Sequence, residues 1–170
     1  MPPNARPAPV SLTSVTKTID LSGAAFDSLD AMMRAHAEDA VRIAAADHGM
    51  ALDYSPESIA LLETVLAARG PIPDAELEAA TRLWGAYFGE IFRRRYPAEW
   101  IMAVYPTLQN AGQRDPGTDV AIPALDIRGS HVYPLLKVFR RLTIGPSEDL
   151  AGFHARVCAA LDAHKEKSSS

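Results

Sequence analysis

The spacing of apolar residues along this chain changes near Pro97 and changes back near residue 132, and this constrains the fold more than any other feature. From residue 24 to residue 96, apolar residues recur every three or four positions, as on one face of a helix. Between Pro97 and Pro106 the chain is rich in β-branched and aromatic residues, which is typical of a strand. The sequence therefore predicts an α+β fold with long N-terminal helices, a small antiparallel sheet of two to four strands, and two C-terminal helices.

Three helices are predicted in the first half of the chain. The first covers residues 24–47, with Ser22 as its N-cap and Gly49 as a left-handed C-cap. The second covers residues 55–70 and the third covers residues 74–96.

The second half begins with a strand over residues 100–105 and a loop rich in Gly and Pro. A second strand is predicted over residues 118–125, and Pro123 places it at an edge of the sheet because proline cannot donate a ladder hydrogen bond. Residues 126–129 form either a turn or a third strand, and the two C-terminal helices follow.

The length of 170 residues fits one core rather than two. Four prolines in the first nine residues predict a disordered tail over residues 1–17, without the apolar segment of a signal peptide. A charged and serine-rich end predicts a second disordered tail over residues 164–170. A single α+β domain is thus expected over residues 18–163.

Composition excludes several classes of function. A formal net charge of −4 argues against a nucleic-acid partner, whose phosphates demand an excess of Lys and Arg. The only cysteine, Cys158, cannot form an intrachain disulfide, so we expect a reducing compartment, the cytoplasm. The histidines lack metal-ligand spacing, and there is no Gly-rich phosphate loop, so neither a metal nor a cofactor is expected. No apolar run approaches the length of a membrane span.

The segment Trp84-Gly85-Ala86-Tyr87-Phe88-Gly89-Glu90 is the most distinctive part of the sequence. Glycine weakens a helix, so two glycines four apart on one face indicate a close approach by another element, within the chain or across a homodimer, or by a ligand. Glu90 beside them would then be a buried carboxylate, either in a salt bridge with Lys137, Arg140 or Arg128 or acting as a catalytic acid.

Two basic clusters follow, residues 93–95 at a helix C-terminus and a second group formed by Lys137, Arg140 and Arg141. If they lie together, they form a positive face suited to an acidic partner. His131 lies at the start of a predicted helix, where functional residues concentrate. Ser130 and Asp126 lie nearby, but without a G-x-S-x-G context they do not indicate a catalytic triad.

The order of several motifs resembles a family of small bacterial α+β domains of unknown function. In that family a G-x-Y-x-G-E helix precedes a Trp-led strand, and a P-x-x-K-V-x-R-L helix follows. The matching segments here, within residues 52–162, are DYSPES at 53–58, GAYFGE at 85–90, Trp100, VYPLLKVFRRL at 132–142 and GPSEDLAGFH at 145–154. The resemblance implies a compact α+β domain and implies no reaction.

Two functions follow from these observations. The first is a non-enzymatic protein that binds another protein, of the immunity or adaptor type, through exposed aromatic and cationic side chains. The candidate binding residues are Tyr54, Trp84, Tyr87, Trp100, Tyr133, Lys137 and Arg140. The alternative is a small hydrolase or ligand-binding enzyme in which Glu90 acts with a histidine such as His131. It requires the carboxylate and the histidine to line one cavity.

Overall fold

Five helices, a two-stranded sheet and a three-stranded sheet, both antiparallel, form the part of the chain that the computed structural model describes, residues 18–19, 25–105 and 120–168. The predicted α+β class, with helices on both sides of a small sheet in the chain order, is confirmed. The elements are β1 (Thr18–Ile19), β2 (Ala25–Phe26), α1 (Leu29–His48), α2 (Ser58–Ala68), α3 (Asp74–Arg95), β3 (Glu99–Tyr105), β4 (Val120–Ile127), β5 (Ser130–Val132), α4 (Pro134–Thr143) and α5 (Leu150–Ser168).

The first helix begins later than its apolar spacing predicts. Residues 25–26 form β2 against β1, so α1 starts only at Leu29. Ser28 caps it, with its hydroxyl accepting a hydrogen bond from the Ala31 amide at 3.1 Å. The predicted cap, Ser22, lies outside the described residues, whereas the left-handed C-cap at Gly49 is confirmed by a φ of 63°.

Helix α3 occupies the centre of the molecule. Every residue from 84 to 92 is buried, so this half of the helix is covered on all sides. Helices α1 and α4 pack against it, and Phe153 of α5 contacts the rings of Phe88 and Phe92. The core therefore surrounds α3 rather than lying along one stripe of it.

The two glycines of α3 allow close packing within the chain. A Cβ atom at Gly85 would lie 2.8 Å from the Leu135 Cα, which belongs to α4. A Cβ atom at Gly89 would lie 2.3 Å from the indole ring of Trp100 in β3. The glycine face is therefore filled by α4 and by Trp100, not by a ligand or a second copy.

The three-stranded sheet has the order β3-β4-β5, so β4 is central and the predicted edge position is wrong. Strand β4 can be central and still contain a proline because β5 is short and pairs only with residues 125–127 of β4. Pro123 lies beyond that pairing and is opposite Met102 of β3 alone. Locally it has an open side, and this is what a proline in a strand requires.

The hairpin between β4 and β5 turns through Arg128 and Gly129. Their φ angles are 55° and 82°, as a type I′ turn requires at both central positions. The alternatives for residues 126–129 thus resolve into a strand end and a turn, with β5 as the third strand.

Helix α5 extends past the predicted end of the domain at residue 163. It runs to Ser168, so residues 164–168 are helical and their predicted disorder is wrong. The charged residues there prolong an amphipathic helix whose earlier turns are anchored on the core. The predicted tail at residues 1–17 lies outside the described residues.

Candidate functional site

The residues singled out in the sequence fall into two places, the core around α3 and a groove near the C-terminus. Trp84, Tyr87, Glu90 and Trp100 belong to the core, since none is more than 5% exposed. The prediction that Trp84, Tyr87 and Trp100 form a binding surface is therefore wrong. Residues of this size on a central helix and its neighbouring strand serve packing instead.

Glu90 is held by two donors. Its Oε1 accepts hydrogen bonds from the Arg93 Nε at 2.7 Å and from the Trp100 Nε1 at 3.0 Å. The hydrogen bond to Glu90 raises the pKa of Arg93, and burial opposes that effect. The buried salt bridge is as expected, but its cation is one helical turn away and not Lys137, Arg140 or Arg128.

Tyr54 lies between α1 and α2 and is fixed by residues of α3. Its ring stacks on Tyr87, with centroids 4.9 Å apart, and the Arg94 guanidinium lies 3.6 Å from its centre. Its amide donates to the Tyr87 Oη at 3.0 Å, and the Tyr87 and Ser58 hydroxyls are 2.6 Å apart. Burial raises the pKa of both tyrosines. These contacts hold Tyr54 at a φ of 64°, which a bulky side chain rarely adopts.

The remaining candidates meet in a groove of about 640 Å³, which we call the C-terminal groove. It lies between the end of β3, strand β5 and helices α4 and α5. Its lining residues are Tyr105, Ser130, His131, Val132, Tyr133, Leu136, Lys137, Arg140, Glu148, Phe153, Val157, Ala160, Leu161 and His164. The structure thus brings together Tyr133, Lys137, Arg140 and His131, and it places Tyr54 elsewhere.

One wall of the C-terminal groove is a face of α5. The lining residues Phe153, Val157, Ala160, Leu161 and His164 recur at the three- and four-residue spacing of a helical face. Phe153 and Val157 are half-buried, so their outer parts remain available. This wall is apolar apart from His164.

The opposite wall carries aromatic rings. The rings of Tyr105 and Tyr133 meet edge to face, with centroids 5.1 Å apart, and the His131 ring lies 6.5 Å from Tyr133. Tyr105 and His131 are exposed, and Tyr133 is half-buried. Because these rings are held against one another, they offer contact area and lose little side-chain conformational entropy when a ligand binds.

The charged part of the groove is centred on Glu148. Its carboxylate accepts hydrogen bonds from Arg140 at 2.8 Å and from the Lys137 Nζ at 2.6 Å, and these lower the pKa of Glu148 to about 2. The Arg140 side chain is 52% exposed, whereas that of Lys137 is 11% exposed and lies near the Phe153 ring. Two cations thus share one carboxylate, and the groove keeps a positive charge that is accessible at Arg140.

Glu90 is not among the residues that line the C-terminal groove. The carboxylate that does line it, Glu148, is ionised at neutral pH and cannot act there as an acid. The pairing of Glu90 with His131 that the enzyme alternative requires therefore has no support in this arrangement.

The two basic clusters are engaged separately instead of forming one positive face. Arg93 pairs with Glu90, Arg94 lies over Tyr54, and Arg95 pairs with Asp162 of α5 at 3.0 Å. In the second cluster, Arg141 is buried and lies 3.8 Å from Glu63. Arg140 of α4 is the member that the C-terminal groove exposes.

Cys158 is buried on α5 beside His154, with 3.5 Å between the thiol sulfur and Nε2. Burial, and secondarily Arg95, lowers the pKa of His154 and favours its neutral form. Neither residue lines the C-terminal groove. The pair is buried and belongs to the core.

Sequence reasoning missed the groove residues supplied by distant elements. The spacing of Phe153, Val157 and Leu161 is typical of the core face of a helix, and it does not reveal that this face extends into a groove. Tyr105 was only the end of a strand. For Glu148 the sequence did offer a signal. It is an acidic residue just after Gly145-Pro146, and a turn at that point can bring it back toward the basic residues of α4.

Among the described residues, no group of His, Cys, Asp or Glu side chains has the arrangement of a metal site. No helix in the described part of the chain is long and apolar enough to span a membrane. Comparison of the chain with protein-family models, curated proteins and solved structures gives no match.

Proposed function

We propose that this protein is a non-enzymatic binding module of the adaptor or immunity type, and that it holds an acidic, partly apolar segment of another protein in the C-terminal groove. The observation that carries the proposal is the meeting of Tyr133, Lys137 and Arg140 in one concave surface. As part of the same proposal we place it in the bacterial cytoplasm, on the resemblance of residues 52–162 and the single cysteine.

The size and shape of the groove support this function. Its volume of about 640 Å³ lies within the usual range for ligand sites, roughly 300–1,000 Å³. An open cleft with α5 on one side and rings on the other suits the side chains of a short helix or an extended peptide. Apolar side chains of such a segment would cover Val157 and the exposed part of Phe153.

The charge of the groove selects the segment. An incoming carboxylate meets Arg140 first, since this guanidinium is exposed and keeps donors beyond the one given to Glu148. Lys137 stays with Glu148, so Arg140 can turn to the ligand without leaving Glu148 unpaired. Bidentate contact between Arg and a carboxylate then sets the position of the acidic residue.

Selection from a random peptide library displayed on phage tests the proposal. The expected peptides combine one or two acidic residues with aromatic or aliphatic ones. Arg140→Gln should weaken their binding about tenfold, because it removes a charge-assisted contact. The matched control is Arg156→Gln, which changes an exposed arginine of α5 outside the groove. Failure to enrich any peptide, or equal affinity for wild type and Arg140→Gln, would overturn the function.

A further inference from the structure

Glu148 is an anion that belongs to the C-terminal groove itself. It lies between α4 and α5 with its side chain 15% exposed, so it forms part of the wall. Its Oε1 accepts a hydrogen bond from Arg140 at 2.8 Å, and its Oε2 accepts one from the Lys137 Nζ at 2.6 Å. Each oxygen of this carboxylate is therefore held by a different cation.

The two cations are not equivalent. The Lys137 side chain is 11% exposed, and its Nζ lies 5.4 Å from the centre of the Phe153 ring, so it has little access to a ligand. The Arg140 side chain is 52% exposed and donates to Glu148 through Nη2, which leaves other N–H donors of the guanidinium for a ligand. Lys137 can thus neutralise Glu148 while Arg140 binds a second anion.

Lys137, Arg140 and Glu148 together leave the groove with one net positive charge. No other Lys, Arg, Asp or Glu lines it within the described part of the chain. Attraction to that charge grows in proportion to the charge of a ligand, whereas the cost of taking the ligand out of water grows with the square of its charge. A carboxylate, with one negative charge, therefore matches the groove. A phosphate monoester carries about two negative charges near neutral pH, and both would lie beside Glu148.

We propose that Glu148 makes the C-terminal groove select a carboxylate over a phosphate group, and that Lys137 frees Arg140 for this ligand by holding Glu148. The inference rests on the proposed function, because it concerns the ligand of the same groove. Arg140 is the residue that contacts the ligand. Lys137 and Glu148 are positioning residues that act through Arg140 and through the charge of the groove.

A small molecule that combines a ring with one acidic group is a minimal probe of this selection. Phe153 and Val157 of α5 are half-buried, and the Phe153 ring lies near Lys137, so the apolar wall adjoins the charged residues. The two probes are 3-phenylpropionate, which carries a carboxylate, and benzyl phosphate. Both present a phenyl ring on a short linker, and they differ chiefly in charge.

NMR titration of the ¹⁵N-labelled full chain with each probe, at low salt and pH 8, tests the selection. At this pH a phosphate monoester carries two negative charges, and histidine side chains are above their usual titration range. Wild type should bind 3-phenylpropionate with a millimolar Kd, about threefold more tightly than benzyl phosphate. Glu148→Gln should raise the affinity for the carboxylate about threefold and for the phosphate about tenfold, because the repulsion removed is proportional to the charge of the probe. The control is Glu57→Gln, which removes an exposed acid outside the groove and should change neither affinity.

A second pair of variants tests the role of Lys137. In Lys137→Gln, Arg140 must neutralise Glu148 alone, so no net charge remains and 3-phenylpropionate should bind about tenfold more weakly. Lys137→Gln/Glu148→Gln keeps Arg140 as its one charge and should regain the wild-type affinity. Damage to the fold would not be repaired by the second substitution, and the dispersion of the amide resonances reports the fold of each variant.

Three results would overturn the inference. They are no binding of 3-phenylpropionate to the wild type, an equal gain for both probes in Glu148→Gln, and a double variant that binds no better than Lys137→Gln. The proposed function fails on a different result, because it requires the enrichment of peptides. Peptides whose affinity depends on Arg140 but not on Glu148 would keep the function and refute this selectivity.

Discussion

At the scale of single residues, Gly89, Glu90 and Trp100 depend on one another. The absence of a side chain at Gly89 lets the indole ring lie against α3, and there its Nε1 donates to the buried Glu90 carboxylate. The carboxylate in turn is compensated by Arg93. Three residues for which the sequence left both packing and binding open therefore form a structural contact between α3 and β3.

Gly89→Ala should destabilise the protein by about 1–3 kcal/mol, because the new methyl group would overlap an indole ring that Glu90 holds in place. Trp100→Phe removes the ring atoms that would clash. The cost of Gly89→Ala should therefore be smaller in the Trp100→Phe background than in the wild type. Urea unfolding of the four proteins measures this coupling, and strictly additive costs would contradict the proposed overlap.

Glu148 should make stability depend on acid pH. Hydrogen bonds from Arg140 and Lys137 lower its pKa from an ordinary 4.5 to about 2, so between these values the unfolded chain binds the proton more readily. The resulting stabilisation is complete above about pH 4.5 and is lost as the pH falls toward 2. Solvent screening keeps the effect small.

Urea unfolding at pH 6 and pH 3 should show a larger loss of stability for wild type than for Glu148→Gln, which cannot titrate. Arg156→Gln serves as a control for the removal of a surface charge. The same loss in Glu148→Gln as in wild type would mean that the two cations do not hold this carboxylate.

At the scale of elements, the sequence predicted the helices and strands better than their arrangement. Apolar spacing and Gly49 located α1 to within a few residues, and the aromatic run located β3. The predicted edge position of β4 was wrong because Pro123 indicates only that its own amide has no strand partner. The three-residue strand β5 pairs with residues 125–127 of β4 and ends before Pro123, so β4 is central although Pro123 has an open side. The end of α5 was missed because residues 164–168 are polar. Their composition alone does not show that the helix continues from earlier turns that are packed on the core.

The β4-β5 turn offers a stabilising change. Arg128 has a φ of 55°, a region that asparagine tolerates better than other residues with a side chain. Arg128→Asn should therefore raise the free energy of unfolding by about 0.5–1 kcal/mol. Arg128→Ala removes the same side chain without this preference and should give no gain. Thermal unfolding compares the two, and equal stability would argue against the type I′ turn.

At the scale of the whole molecule, the structure separates a packed core from one concave surface, the C-terminal groove. The core around α3 contains Trp84, Tyr87 and Trp100, which sequence reasoning assigned to binding. The candidates that line the C-terminal groove are Tyr133, Lys137 and Arg140. The groove could not be predicted because its walls come from β3, β5, α4 and α5, and only tertiary packing brings them together.

The most direct test of the proposed function is a titration of the ¹⁵N-labelled full chain with a peptide from the library selection, followed by NMR. The account predicts that the largest amide shift changes fall on residues 130–140 and 153–164, and that Arg140→Gln reduces them while Arg156→Gln does not. Shift changes concentrated on any other surface, or unaltered by Arg140→Gln, would contradict the assignment of the C-terminal groove as the binding site.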